Sequence, residues 1–213
     1  MVLKLDADKA LIFRITHISN VPWILANGLH CRSSGVVDPG FTRIGNASLI
    51  DKREHFPVPI DPRGALSDYV PFYFTPKSIM LYNIATGHQD TPKVPRTEIV
   101  TIIARLRRVR EAGINAIFTD QHAVSKTAKY FSDLSDLTNI DWTILRNCDF
   151  KRDPDDPGKT LRYHAEALVH ESLPCEQIAG IGCRSENEKR TLERFGREAG
   201  MEIKIVVRPD WFF

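Results

Sequence analysis

Two tyrosines and one glutamate, Tyr73, Tyr82 and Glu166, stand in sequence contexts that could support catalysis. Tyr73 ends an aromatic, β-branched stretch that predicts a short buried strand, and Tyr82 follows in a predicted helix. Glu166 lies in a predicted strand among small and apolar residues, on the same face as Leu168. The two rings could flank a planar leaving group, while the carboxylate binds a ribose hydroxyl and offsets charge developing on the sugar. These residues therefore suit transfer through an oxocarbenium-like transition state.

Each of these residues also has a simpler structural interpretation. Tyr73 and Tyr82 could be core tyrosines whose hydroxyl groups are satisfied by hydrogen bonds. Glu166 could face water from an edge strand. The pattern of the sequence alone leaves both alternatives open.

Three further residues are candidates for contact with nucleic acid. His122 follows a predicted strand in a polar turn, where it could touch DNA or cap a backbone group. Tyr130 stands close to Lys126 and Lys129, a mixture of ring and charge that suits single strands. Arg152 belongs to a basic cluster with Arg146, Lys151, Lys159 and Arg162, which could bind phosphates.

The predicted elements that must position these residues are short strands interspersed with short helices. We expect strands at residues 10–17, 70–75, 97–103, 115–119, 165–170, 177–183 and 202–207, and helices at 20–25, 47–53, 80–85, 104–112, 124–131, 142–147 and 185–200. Ser78, Asp141 and the Ser185–Glu188 pair are predicted helix caps, as is Asn20. Because no regular βαβ repeat is present, the pattern predicts an α+β fold rather than a doubly wound sheet.

Composition limits the classes of protein to which the chain could belong. Its 213 residues, 42% of them hydrophobic, suffice for one domain with a real core, and no stretch approaches the length of a membrane span. The N-terminus lacks the long apolar region of a signal peptide. The four cysteines are widely spaced and match no zinc pattern, so we expect no metal, reduced thiols and a cytoplasmic location. The net charge of +2 by itself distinguishes no partner.

Several separated stretches together resemble the DarT family of DNA ADP-ribosyltransferase toxins, from DarT–DarG toxin–antitoxin systems. They are Ile15-Thr16-His17-Ile18-Ser19-Asn20, Asp68-Tyr69-Val70-Pro71-Phe72-Tyr73-Phe74-Thr75-Pro76, Phe118-Thr119-Asp120-Gln121-His122, Ala165-Glu166-Ala167-Leu168 and Arg208-Pro209-Asp210-Trp211-Phe212. The resemblance extends over nearly the whole chain. It implies a single ADP-ribosyltransferase fold, with mixed or antiparallel sheets flanked by short helices.

The resemblance also implies an activity and its partners. The enzyme would transfer ADP-ribose from NAD to thymine in single-stranded DNA and release nicotinamide, and the antitoxin DarG would remove the product. By position, Glu166 is the catalytic glutamate, and Arg53 helps remove the thymine proton while contacting NAD. The remaining implied NAD contacts are Arg14, Ile15, Thr16, Trp23 and Cys31, beside the Tyr73–Tyr82 pair. Residues 36–55 correspond to a loop that closes over NAD, and residues 122–166 to the segment that selects the DNA target.

One position departs from the family pattern, and the acceptor has alternatives. The family often has a histidine where this chain has Arg14, whose guanidinium can still donate to a ribose or a phosphate but with different geometry. Guanine, protein, tRNA phosphate or water could replace thymine as the acceptor. A catalytically silent nucleic-acid-binding module is the alternative from another class. Intact Glu166, Arg53, Tyr73 and Tyr82 argue against it.

Overall fold

The computed structural model describes residues 5–213, so the first four residues, part of the N-terminus expected to lack a signal peptide, lie outside the described range. Within residues 5–213 there are ten strands, namely β1 (Leu11–His17), β2 (Leu29–His30), β3 (Tyr69–Tyr73), β4 (Ile99–Arg105), β5 (Ala116–Thr119), β6 (Tyr130–Phe131), β7 (Glu166–His170), β8 (Ser172–Leu173), β9 (Ile178–Cys183) and β10 (Ile205–Val207). The α-helices of the same range are α1 (Val21–Asn27), α2 (Ala47–Glu54), α3 (Ile79–Thr86), α4 (Leu106–Glu111), α5 (Trp142–Asn147), α6 (Lys159–Tyr163) and α7 (Glu186–Glu198).

Eight of these strands form one mixed sheet in the order β10-β9-β4-β1-β3-β7-β5-β6. Every neighbouring pair is antiparallel except β10 and β9, which run parallel. The strands β2 and β8 form a separate antiparallel pair. This arrangement confirms the predicted α+β class with a mixed sheet flanked by short helices.

The two faces of the sheet bury different clusters because side chains alternate along each strand. Val70 and Phe72 of β3 belong to the large core cluster, together with Ala167 of β7. Tyr69 and Leu168 lie on the other face, in a smaller cluster. Glu166 shares the face of Leu168, so the second face carries the candidate catalytic residue.

Side-chain caps fix the helices that the sequence predicted. The Ser78 hydroxyl accepts a hydrogen bond from the backbone N–H of Leu81 at 3.2 Å, and Asp141 caps α5 in the same way. Ser185 and Glu188 form the predicted capping box of α7. These caps confirm three of the four predicted helix starts.

Two local predictions are wrong. The segment Val124–Phe131 is not a helix, because Ser125 and Thr127 bond to each other at 3.0 Å and its last two residues pair with β5 instead. Asn20 makes no capping hydrogen bond, because its side chain binds Thr16 and Thr42. The helix α6 and the short strands β2, β6 and β8 were not predicted.

Two further findings concern the helices and the cysteines of residues 5–213. None of the helices within residues 5–213 is both long and apolar enough to cross a membrane. The cysteines Cys31, Cys148, Cys175 and Cys183 are not joined in disulfides.

Candidate active site

Glu166 begins β7, a strand in the interior of the sheet. It pairs with Tyr73 of β3 on one side and with Thr119 of β5 on the other. Its side chain is only 2% exposed. The alternative of an edge-strand glutamate facing water is therefore wrong, and the carboxylate must be satisfied within the protein.

Three groups surround the Glu166 carboxylate. Arg53 Nη1 donates to Oε2 at 2.8 Å, and the backbone N–H of Ala123 donates to Oε1 at 3.0 Å. His122 Nδ1 also lies 3.0 Å from Oε1. Burial alone would raise the pKa of Glu166, but Arg53, His122 and the Ala123 N–H outweigh burial and hold the pKa well below its usual range. The group is thus a buried, fully ionised carboxylate.

Arg53 comes from the last turn of α2, whose N-terminus is capped by Asn46. Its Nη1 is used by Glu166, whereas Nη2 is buried and has no hydrogen-bond partner among residues 5–213. A buried guanidinium N–H without a partner is costly, so this donor is available for a ligand oxygen.

Arg14 and Tyr73 lie beside this ion pair. Arg14 Nη1 donates to the Pro71 carbonyl at 3.0 Å. Burial and the neighbouring Arg53 charge lower the pKa of Arg14 to about 10, although Tyr73 opposes the shift. Burial, reinforced by Glu166, raises the pKa of the Tyr73 phenol. Arg14 remains cationic and Tyr73 neutral near pH 7, so two guanidinium groups share one buried region.

A cavity of about 420 Å³ opens from this group of residues. It brings together most of the residues that the sequence analysis assigned to NAD. Those that line it are Arg14, Ile15, Thr16, Trp23, Cys31, Arg53 and Tyr73, and the candidate catalytic residue Glu166 lines it as well.

Tyr82 is the assigned residue that does not line this cavity. Its ring packs on Phe213 with centroids 5.4 Å apart and also lies near Phe150. The cavity is instead lined by Met80 and Ile84, which share one face of α3, and helical periodicity turns Tyr82 to roughly the opposite face. The structure therefore does not form the predicted clamp between Tyr73 and Tyr82.

The segment 36–55 forms one wall of the cavity. Buried Asn20 holds it through two hydrogen bonds to the backbone of Thr42, at 2.8 and 2.9 Å. Before this anchor, Val37 is 72% exposed and Phe41 is 49% exposed, although both border the cavity. The wall is thus fixed at Thr42 and carries uncovered apolar side chains over the cavity.

The three candidate DNA contacts occupy different positions. His122 touches Glu166 and its ring stacks on His164, with centroids 5.0 Å apart. Tyr130 is half-buried and donates to the Ala123 carbonyl at 2.6 Å, and burial followed by Glu166 raises its pKa to about 12. Arg152 is exposed.

Sequence reasoning missed three contributors to the site. The Ala123 N–H is a backbone group, and the amino-acid sequence does not show which backbone N–H will bind Glu166. Asn20 carried a signal that was assigned to helix capping. His164 was recognisable only as a neighbour of Glu166, and its pKa falls to about 4 because of burial and the adjacent His122, against the pull of Glu166.

The arrangement can bind a phosphate-bearing ligand beside an ionised carboxylate. Arg14 and Arg53 supply cationic donors on the cavity side, and Glu166 supplies a negative charge that cannot be neutralised near pH 7. Within residues 5–213, no group of three or more histidine, cysteine, aspartate or glutamate side chains is placed to hold a metal ion.

Comparisons with known proteins agree with this geometry. The family model described as "ssDNA thymidine ADP-ribosyltransferase, DarT" matches residues 13–213. A DNA ADP-ribosyl transferase of Escherichia coli O127:H6 (strain E2348/69 / EPEC) is 44% identical over 209 residues, which cover 98% of this chain and 96% of that protein.

Two solved structures of a Thermus protein share the fold over almost the full chain. Thermus sp. 2.9 DarT in complex with ADP-ribosylated ssDNA matches with a TM-score of 0.90 and 27% identity, covering 99% of both chains. The same protein in complex with NAD⁺ matches with a TM-score of 0.83 and 27% identity, covering 97% of this chain and 98% of that one. The match in family, sequence and fold places this chain in the DarT family of DNA ADP-ribosyltransferases.

Proposed function

We propose that this protein transfers ADP-ribose from NAD to a thymine base in single-stranded DNA and releases nicotinamide. NAD-dependent ADP-ribosylation of DNA is the reaction of its family, and thymidine is the acceptor named by the family description. The observation that carries the proposal is the position of Glu166. Its ionised carboxylate stands between the cavity, with its two arginines, and the turn that holds His122.

NAD is the ligand that the cavity fits in this proposal. The free Nη2 of Arg53 and the Arg14 guanidinium would bind the diphosphate or a ribose hydroxyl. Ile15, Thr16, Trp23 and Cys31 would line the remainder of the site, and the Tyr73 ring would lie against the nicotinamide. The segment 36–55 would cover NAD, because its exposed Val37 and Phe41 border the cavity and would lose contact with water on closing.

Glu166 would act on the charge that develops when nicotinamide leaves. As the bond between nicotinamide and ribose breaks, the sugar gains positive charge next to the buried carboxylate, which stabilises it in a region of low dielectric. The same carboxylate can accept a hydrogen bond from a ribose hydroxyl. Arg53 holds the carboxylate and balances its charge, so the two residues act as a pair.

DNA would approach from the side formed by residues 122–166. His122 and Tyr130 stand beside Glu166 on that side, and exposed Arg152 could neutralise a phosphate further away. A base must be unpaired to expose thymine N3, so the substrate would be single-stranded or the base flipped.

Membership of the family supports a proposal for the cellular setting. We infer that the protein acts in the cytoplasm as a single ADP-ribosyltransferase domain, and that a DarG antitoxin removes the ADP-ribose. An enzyme that modifies DNA with NAD must meet both in the same compartment, which supports the location.

The proposal is tested with one oligonucleotide containing a single thymine, used alone and annealed to its complement. After incubation with NAD, mass spectrometry should find ADP-ribose on the thymine of the single strand and much less on the duplex. Equal labelling of both forms, labelling confined to guanine, or labelling of protein alone would show that the acceptor is wrong.

A further inference from the structure

His122 lies on the side of Glu166 that faces away from the cavity. Arg53 binds Oε2 and lines the cavity, whereas His122 and the Ala123 N–H contact Oε1 and neither residue lines it. If NAD fills the cavity, the acceptor base must reach the sugar from outside the nicotinamide site. His122 is then on the side from which the acceptor comes.

The contact with Glu166 determines which nitrogen of His122 carries a proton. The carboxylate is ionised and cannot donate, so an Nδ1 atom 3.0 Å from Oε1 is stable there only when it bears hydrogen. In the neutral ring Nε2 is then a lone-pair acceptor. The contact is close but does not have the geometry of a full hydrogen bond, which is common for catalytic contacts in the absence of substrate.

The Nε2 atom of His122 is available to a substrate. The Nδ1 atom is buried, yet the side chain keeps 17% of its exposure, so its exposed atoms lie on the other side of the ring. No residue in the described range 5–213 hydrogen-bonds to Nε2.

The histidine ring is also held in place. It stacks on His164 with an interplanar angle of 28°, and its backbone N–H donates to the Leu161 carbonyl at 3.2 Å. The next residue, Ala123, is held from both sides, by Glu166 through its N–H and by the Tyr130 hydroxyl through its carbonyl. Such restraint is what a positioned general base requires.

We propose that His122 is the general base of the reaction, accepting the N3 proton of the target thymine on Nε2. This inference rests on the proposed function. The N3–H bond breaks and its proton moves to Nε2, while the N3 electron pair forms the bond to the anomeric carbon. The bond from that carbon to nicotinamide breaks with its electron pair, which neutralises the pyridinium ring, and His122 then returns the proton to water.

Arg53 is unsuited to this role although it lies close by. It donates to Glu166 as a cation, and a guanidinium has no acceptor lone pair while it remains charged. A carboxylate with a strongly lowered pKa is likewise a weak base. The carboxylate–imidazole arrangement matches the logic of hydrolase triads, in which the acid fixes the tautomer and stabilises the imidazolium.

The test compares His122→Asn with His88→Gln, an exposed histidine outside both the cavity and the segment 36–55, as the control. The asparagine side chain keeps a donor near Glu166 but has no basic nitrogen. Single-turnover labelling is measured on two single-stranded oligonucleotides, one with thymine and one with 5-fluorouracil, whose N3 proton is more acidic. Thermal unfolding and NAD titration verify that each variant folds and binds NAD.

We expect His122→Asn to slow thymine labelling by about 10²-fold or more, the usual contribution of a general base. The loss should be much smaller with 5-fluorouracil, and free imidazole should partly restore His122→Ala. Equal losses on both acceptors without imidazole rescue, or full activity of His122→Asn, would overturn the inference while leaving thymine transfer by the wild type intact. Wild-type protein that labels no thymine would refute the proposed function, and the role of His122 with it.

Discussion

At the scale of single residues, the site depends on the Glu166 carboxylate, which stays ionised although it is buried. Glu166 loses its hydration on folding, which disfavours its ionised form, but three neighbouring donors more than offset that cost. A carboxylate compensated in this way is stable only while its partners remain. Substitutions at the partners should therefore affect both activity and folding.

Arg53 offers the first such prediction. Arg53→Ala should abolish DNA modification and lower the free energy of unfolding by about 3 kcal/mol, because it leaves a buried carboxylate without its cation. Arg53→Lys should recover part of both, since an ammonium supplies charge without the planar fork. Labelling of a thymine oligonucleotide and urea unfolding measure the two effects. Lysine activity equal to the wild type would contradict the role of the fork.

The lowered pKa of His164 leads us to expect that the stability of the protein depends on pH. Its folded-state pKa is about 4, below the ordinary value of 6.5, so the unfolded chain takes up a proton between these values that the folded protein does not. Stability from this group is complete above pH 6.5 and falls by up to about 3 kcal/mol as the pH drops to 4. Urea unfolding at about pH 7 and about pH 4.5 should show a smaller difference for His164→Gln than for the wild type. An unchanged difference would argue against the shift.

At the scale of elements, buried Asn20 is one of the distant side chains that hold the wall formed by residues 36–55. Asn20 is fully buried and both its donor and its acceptor bind the backbone of Thr42. Its amide thereby holds the cavity wall at Thr42, between Phe41 and Arg43, which both line the cavity.

Asn20→Ala should therefore weaken NAD binding more than the chemical step. Loss of two partly buried hydrogen bonds, at about 1 kcal/mol each, should raise the apparent KM for NAD about 10-fold or more. The maximal rate should change less, because Glu166 and Arg53 keep their contact. Steady-state kinetics separate the two parameters, and Asn27→Ala on the exposed end of α1 is the control. A fall in rate with unchanged KM would contradict the assignment of the loop to NAD.

Some elements could be predicted from the local sequence, whereas others depend on long-range packing and could not. The strand at Tyr69–Tyr73 and the helix capped by Ser78 were predictable because propensity and local hydrogen bonds decide them. The segment Val124–Phe131 was not, because pairing with β5 overrode its helical pattern. The direction of the Tyr82 side chain depends on how α3 packs against the sheet, which the local sequence does not determine. The contact of His122 with Glu166 joins residues distant in sequence, so the local sequence could not predict it either.

At the scale of the molecule, the sheet order brings the separated motifs together. The strands β1, β3, β7 and β5 are neighbours in the sheet although they come from the beginning, middle and end of the chain. Four of the five stretches that carry the family resemblance therefore meet on adjacent strands. The net charge of +2 spreads over 213 residues, so binding of DNA must depend on local groups rather than on the overall field.

The activity of the whole protein should be visible in cells. Expression of the wild type without an antitoxin should stop growth, because modified bases block the use of the DNA template. Glu166→Gln, expressed to the same level, should restore growth. Normal growth of cells with high levels of folded wild-type protein would contradict a toxic role.

The most direct measurement of the central claim is transfer of ADP-ribose to thymine by the wild type and by Glu166→Gln, followed by mass spectrometry of a single-stranded oligonucleotide. Glutamine keeps the size of the side chain and removes the charge, and NAD titration confirms that the site still binds. The account predicts labelled thymine with the wild type and a loss of about 10³-fold with the variant, as for removal of a group that acts mainly in the transition state. Comparable labelling by both proteins, with NAD bound equally, would contradict it.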